Sequence, residues 1–243
     1  MGLKIIYGRA GSGKSKYIYE QIAKNIENNE KIFLITPEQF SYTAEKKLME
    51  VIKTKAVLQA EVLHLSRMAK RVIAELGIKT KNMTKCGKAM LISHILTKNK
   101  NKLTYLSKSE ENIELAISII TEFKKHGITI EILNKQIEKT QDIYLKSKLQ
   151  DIQIIYEQYN EQIAENYIDE ADELTILSQN IYKMNWIKDS IIYIDEFAGF
   201  TYPEYLVITE LIKYAKQVNI TITTDELENT RNPDIDIFYS NKI

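Results

Sequence analysis

Apolar and polar residues follow two different rhythms along this chain. Near the start, Lys4-Ile5-Ile6-Tyr7 is a compact β-rich run that predicts a buried strand. The segment from Lys16 to about Asn28 predicts a helix. Lys31-Ile32-Phe33-Leu34-Ile35-Thr36, closed by Pro37, predicts a second buried strand. A helix from Ser41 to about Ile52 follows, then a strand at Glu61-Val62-Leu63-His64-Leu65. Ser66 stands where it can cap a helix that runs to about Leu76 and ends at Gly77.

From about Thr84 to Ile181 the rhythm changes. This stretch has no proline and almost no glycine, and helical spacing dominates. Met90, Leu91, Ile95 and Leu96 mark one helix. Ile113, Ile117, Ile120 and Phe123 mark another, ended by His126-Gly127. Leu149, Ile152, Ile155, Tyr156 and Tyr159 mark a third, long one. Gly127 with Thr129-Ile130-Glu131 predicts the corner of a helix hairpin. Strand chemistry then returns at Ile191-Ile192-Tyr193-Ile194 and at Val218 to Asp225, separated by a helix from Pro203 to Ala215. The tail from Glu226, with Asn229, Asn232 and Pro233, reads as irregular. The pattern predicts an interrupted α/β chain: residues 1–82 and 186–243 form the α/β part, and 83–185 an all-helical insertion.

One motif gives that pattern a chemistry. Gly8-Arg9-Ala10-Gly11-Ser12-Gly13-Lys14-Ser15 is a complete GxxxxGKS phosphate loop, placed between a predicted strand and a predicted helix. Glycines at these positions let backbone N–H groups curl inward around an anion. The helix N-terminus adds free N–H groups and a positive dipole end. Lys14 is expected to reach the β- and γ-phosphates of ATP, and the Ser15 hydroxyl to ligate Mg²⁺.

A second signal is Asp195-Glu196 at the end of the apolar run Ile191–Ile194. There Asp195 is expected to hold Mg²⁺ through water, and Glu196 to polarise the attacking water, beside the phosphate loop. Asp169-Glu170 repeats the pair, but Glu165-Asn166 stand where an apolar strand would be needed, so it predicts a solvated loop or cap.

Lys+Arg and Asp+Glu both number 33, which gives zero net charge and excludes a global basic field for nucleic acid. DNA contact would need a local groove. The arginines are Arg9, Arg67, Arg71 and Arg231, a scarcity that a lysine-rich codon bias also explains. Cys86 is the single cysteine, so neither an internal disulfide nor a cysteine-ligated cluster can form. His64, His94 and His126 lack metal-ligand spacing. No apolar run approaches a membrane span and no signal peptide precedes the loop, so a cytoplasmic location is expected.

Four segments together resemble one family. They are GRAGSGKS at Gly8–Ser15, LITPEQFSYTAEKKL at Leu34–Leu48, EVLHLSRMAKRV at Glu61–Val72 and YIDEFAGFTYPE at Tyr193–Glu204. They are similar to the N-terminal part of AddB, the B subunit of bacterial AddAB helicase–nucleases that process double-strand DNA breaks. The resemblance extends to Thr223–Glu226 and spans nearly the whole chain. It implies a RecA-like phosphate-loop domain of the superfamily-one helicase kind, interrupted by a helical domain. It also implies an AddA-type partner subunit and contact with double-stranded and single-stranded DNA. A second motor domain and a nuclease domain with an iron–sulfur cluster would lie beyond these residues. Carried over residue by residue, the DNA surface with its Chi-recognising segments would comprise Gln39, Ser41, Leu65, Arg67, Lys70 and Phe200. Relatives often place aromatics where Leu65 and Lys70 stand here. Because the arginine supplied by the second motor domain would be missing, ATP binding with poor hydrolysis is expected.

Two other readings fit parts of the pattern. A small-molecule phosphate-loop kinase needs lid arginines, and the segment from Thr84 to Ile181 has none. A scaffold that binds ATP without turnover has no use for Glu196.

Overall fold

The computed structural model describes residues 2–52, 59–78, 81–106, 110–164, 167–168 and 170–224. The chain divides into two compact units, Met1–Leu76 with Leu174–Ile243, and Gly77–Glu173.

In chain order, the first unit begins with β1 (Leu3–Gly8), α1 (Lys14–Glu27) and β2 (Lys31–Ile35). A 3₁₀ turn (Glu38–Phe40), α2 (Ser41–Ile52), β3 (Ala60–Leu63) and α3 (Leu65–Glu75) follow. The second unit holds β4 (Lys81–Asn82), α4 (Lys85–Lys98), α5 (Glu110–Lys125), α6 (Ile130–Lys139), α7 (Ile143–Ala164) and β5 (Tyr167–Ile168). The chain passes back through α8 (Glu170–Asn180) and the short α9 (Asn185–Lys188). It then completes the first unit with β6 (Ser190–Ile194), α10 (Tyr202–Tyr214) and β7 (Gln217–Thr223).

Five parallel strands form one sheet in the order β1-β7-β6-β2-β3. This is an α/β fold of the RecA-like kind. Side chains alternate between its two faces, and both are covered, so β2 and β6 read as continuous apolar runs. Phe33, Ile35, Ile192, Ile194, Val218 and Ile220 pack on one face against α3 and α10. Ile32, Leu34, Ile191 and Tyr193 pack on the other against Ile18 and Ile22 of α1 and Ala44 and Leu48 of α2. Fully burying a side chain of this size contributes about 1.5–3 kcal/mol. Trp186 closes the first face, edge-on to Phe33 at 5.2 Å, while the Arg71 guanidinium lies 4.2 Å above the indole. Arg71 also pairs with Glu61 and Glu75, which ties this scarce arginine to the scaffold.

Several local expectations change. β1 exists but is not buried: it is an edge strand, with Leu3, Ile5 and Tyr7 exposed. These residues continue the face that α10 covers only over β7. The α3 cap is His64 rather than Ser66, since its Nδ1 accepts the Arg67 N–H at 3.2 Å. Tyr167–Ile168 forms a two-residue strand through backbone pairing with Lys81–Asn82, which asks little of the side chains. Glu170 opens α8, whereas Asp169 lies outside the described residues, as do Asp225, Arg231 and the tail from Glu226.

The second unit is helical apart from that ribbon. Ile92, Ile95, Leu96, Ala116, Ile120, Leu133, Ile155 and Tyr159 form its core. Ile92 takes the buried position on α4, and Met90 is exposed. Gly127 turns the corner between α5 and α6 at φ 65°, and Thr129 caps α6.

Candidate functional site

The loop after β1 is shaped by its glycines. Gly8 has φ 156°, and a Cβ there would lie 2.8 Å from Ser12 Oγ. Gly13 sits in the left-handed region at φ 87°, immediately before α1. Between them the Ser12 N–H donates to the Arg9 carbonyl at 3.2 Å. No side chain caps α1, and its first turn carries no acidic residue, so the positive end of the helix faces the loop without a neutralising group. Lys14 Nζ folds back to donate to the carbonyls of Gly8 (2.8 Å) and Arg9 (2.9 Å). Arg9, Ala10, Gly11 and Ser12 are exposed, and Ser15 is half-buried in the first turn.

β6 brings Asp195 to the same sheet edge. It is not directly beside the loop, because β7 lies between β1 and β6. Two strand spacings put the tips of β1 and β6 roughly 10 Å apart. Asp195 is 3% exposed, and its N–H donates to the Ile35 carbonyl at 3.0 Å. Its Oδ1 accepts the Thr221 hydroxyl at 2.6 Å, whereas its Oδ2 is buried without a partner. Glu196 follows with φ 66°, a conformation that costs a non-glycine residue on the order of 1–2 kcal/mol. Its carboxylate pairs with Lys47 of α2 at 3.2 Å. Buried Tyr19 on α1 lies within the influence of both acids: burial first, then Glu196 and Asp195, push its pKa well above the ordinary tyrosine value. Thr36 Oγ1, at the end of β2, and Ser41 Oγ are further buried oxygens without a partner.

The residues assigned to DNA by resemblance follow β2, β3 and β6, away from the β1 end of the sheet. Gln39 is exposed in the 3₁₀ turn, and Ser41 opens α2. Arg67 and Lys70 are exposed on α3. Phe200 is half-buried against Phe197, with ring centroids 5.0 Å apart. Leu65 departs from the expectation: it is 5% exposed and packs in the sheet core, because the His64 cap turns the first residue of α3 inward. Its side chain therefore offers no surface to a strand of DNA. Phe40 and Tyr42, which sequence reasoning passed over, are exposed on either side of Ser41. Thr221 and Lys47 were also missed. The only sequence trace of Thr221 is the alternation Val218-Asn219-Ile220-Thr221-Ile222-Thr223.

Among the described residues no helix is long and apolar enough to cross a membrane, and no group of three or more His, Cys, Asp or Glu could hold a metal ion by itself. Any metal at this edge would need ligands from outside such a cluster, as Ser15 and Asp195 could supply together.

Curated relatives match the chain along most of its length. Proteins named as the B subunit of an ATP-dependent helicase/deoxyribonuclease are 41% identical over 95% of the chain in Clostridium botulinum (strain Loch Maree / Type A3). They are 40% identical over 98% in Clostridium tetani (strain Massachusetts / E88) and 39% identical over 100% in Clostridium perfringens (strain 13 / Type A). The chain spans only 21% to 22% of the length of these relatives. A family model described as ADDB, N-terminal, matches residues 5–243, and the chain belongs to that family.

Proposed function

We propose that this chain is the N-terminal, Mg·ATP-binding, helicase-like part of an AddB-type helicase/deoxyribonuclease subunit acting in double-strand break repair. The observation that carries the reading is the pairing, on one sheet edge, of an uncapped helix behind a glycine-shaped loop with a buried carboxylate whose Oδ2 has no partner. A buried unpaired carboxylate oxygen costs several kcal/mol unless something binds it.

The residues present fit the ligand. Gly8, Arg9, Ala10, Gly11, Ser12 and Gly13 would supply backbone N–H groups, and a Cβ at Gly8 would press on Ser12 Oγ within the loop. Lys14, now resting on two loop carbonyls, exchanges them for phosphate oxygens. Ser15 and Asp195 hold Mg²⁺, which neutralises phosphate charge when bound. Glu196 orients water, and its pairing with Lys47 restrains it from doing so. That restraint favours tight binding over rapid turnover. The alternative of a structural ATP site draws on the same ion pair.

On this reading the half of the sheet edge after β6, β2 and β3 meets single-stranded DNA, in keeping with Chi recognition in the family. Gln39 reads base edges, Arg67 and Lys70 hold phosphates, and Phe200 stacks. Ser41 lines the turn, and Leu65 supports from beneath. An AddA-type subunit is the expected partner, and with Cys86 as its single cysteine these residues do not by themselves ligate an iron–sulfur cluster.

Calorimetric titration of Mg·ATP into the chain and into Lys14→Ala tests the nucleotide site. Saturable binding by the wild type, lost in the variant, is expected. A folded wild-type chain that takes up no Mg·ATP would sink the reading. Fluorescence anisotropy with a labelled single strand tests the other half. Arg67→Ala should weaken binding and flatten its salt dependence by about one unit of slope.

A further inference from the structure

One oxygen of Asp195 is held from within the sheet and the other is not, and the cause lies in β7. β7 runs between the phosphate-loop strand and the Asp-Glu strand, and its residues alternate in kind. Val218 and Ile220 face the apolar core with α10. Asn219 and Thr221 face the opposite way, are 3% and 5% exposed, and are polar. A buried polar face on a central strand is costly unless each group is bonded. Asn219 is bonded: its Nδ2 donates to the Ile192 carbonyl at 3.3 Å, and its Oδ1 accepts from Gln217 at 2.9 Å.

The Thr221 hydroxyl has two acceptors in range, the Ile194 carbonyl at 3.4 Å and Asp195 Oδ1 at 2.6 Å. It has one proton, and the shorter, charge-assisted bond takes it. The register fixes this contact: Ile194 pairs with Ile220, so Thr221 stands beside Asp195 one residue further along. Its β-branched side chain has few rotamers, so the hydroxyl is held in place by the strand itself. Oδ1 is thereby occupied from within the sheet, and Oδ2 is the oxygen left without a partner.

We propose that Thr221 is a positioning residue for the metal carboxylate. By holding Oδ1, it orients the Asp195 side chain so that Oδ2 alone serves the Mg²⁺ of bound ATP. It touches neither nucleotide nor metal and acts through Asp195. This inference rests on the Mg·ATP reading above. Partners of this kind, one bond behind a metal ligand, are worth about 10- to 100-fold in metal affinity.

The test is calorimetry of ATP binding with excess Mg²⁺ and with EDTA, for the wild type, Thr221→Val and Thr221→Ser. The quantity of interest is the ratio of the two dissociation constants, the gain that metal confers. Thr221→Val should shrink that gain about tenfold or more and leave the EDTA value unchanged, and Thr221→Ser should restore it. A merely structural role would weaken both constants together and overturn the proposal. An unchanged gain in Thr221→Val, beside a wild type that binds Mg·ATP, would overturn it while leaving the nucleotide reading intact. A wild type that binds no Mg·ATP would remove the reading and the proposal with it. Should Thr221→Val not fold, Thr221→Cys, of similar size and with a weaker donor, carries the same comparison.

Discussion

Two aspartates in this chain are almost equally buried and differ in how they are satisfied. Asp151, on α7 of the helical unit, is 2% exposed and accepts the backbone N–H groups of Thr104, Tyr105 and Leu106 at 2.7–3.0 Å. Asp195, on the sheet edge of the α/β unit, is 3% exposed and has one hydroxyl on Oδ1 and nothing on Oδ2. A carboxylate wrapped in amides holds a loop. One left half-open at a strand tip is suited to a ligand. Three of the four buried side-chain atoms without a partner among the described residues, on Thr36, Ser41 and Asp195, belong to the α/β unit. Buried polar cost therefore gathers where chemistry is proposed.

The largest effect should come from breaking the satisfied member. Asp151→Ala removes the acceptor of three backbone amides, of which that of Leu106 is buried, and should cost the helical unit about 3 kcal/mol in denaturant unfolding. The mirror change, Asp195→Asn, should leave stability within about 1 kcal/mol, because an amide still accepts from Thr221 and carries no buried charge. On the nucleotide reading it should reduce the Mg²⁺-dependent part of ATP binding by about tenfold, or about 1.4 kcal/mol, measured by calorimetry. If the two variants lost stability alike, the contrast between them would fail.

Much of this contrast was hidden from the sequence, and the reason is distance along the chain. The phosphate loop is legible because its geometry is written in eight contiguous residues whose glycines take positive φ. β2 and β6 are legible because a strand buried on both faces must be apolar throughout. Asp151 gave no sign, since its partners are backbone amides 45 to 47 positions away. Thr221 and Asp195 are 26 apart, and Lys47 and Glu196 are 149 apart, joined only by strand order. β1 misled in the other direction. Its apolar residues resemble those of β6, but edge or centre is a property of topology, not of composition. Leu65 misled because a histidine cap sets which way the first residue of a helix turns.

Tyrosine titration sharpens the same comparison at alkaline pH. Tyr19 and Tyr193 lie on the sheet side that carries α1, and burial raises both pKa values, aided at Tyr19 by the charges of Glu196 and Asp195. In the unfolded chain each titrates near 10, while in the folded chain each keeps its proton to higher pH. Between those values the unfolded state binds fewer protons, so stability is present in full below about pH 10 and falls above it. The slope should approach about 1.4 kcal/mol per pH unit for Tyr19. Tyr19→Phe should remove its share of that slope in urea unfolding measured at successive pH values. An equal alkaline slope in the wild type and Tyr19→Phe would refute the assignment.

The smallest effect should belong to Glu196, the neighbour whose pairing is neither complete nor open. Its bond to Lys47 joins two partly exposed side chains, with relative exposures of 44% for the lysine and 20% for the glutamate. Such pairs contribute about 0.2–1 kcal/mol, so Lys47→Met should shift the unfolding midpoint only slightly. Its value is diagnostic, because Glu196 stands in a left-handed backbone at the strand tip and Lys47 is the cation its carboxylate pairs with. On the nucleotide reading, loss of the restraint would free the carboxylate to orient water, and ATP turnover should rise by up to about fivefold, the rate equivalent of about 1 kcal/mol. Glu196→Gln in the same background should abolish that gain. A Lys47→Met chain that turns over no faster would make the ion pair part of the scaffold, and Glu196 would join Asp151 among the acids that hold the fold.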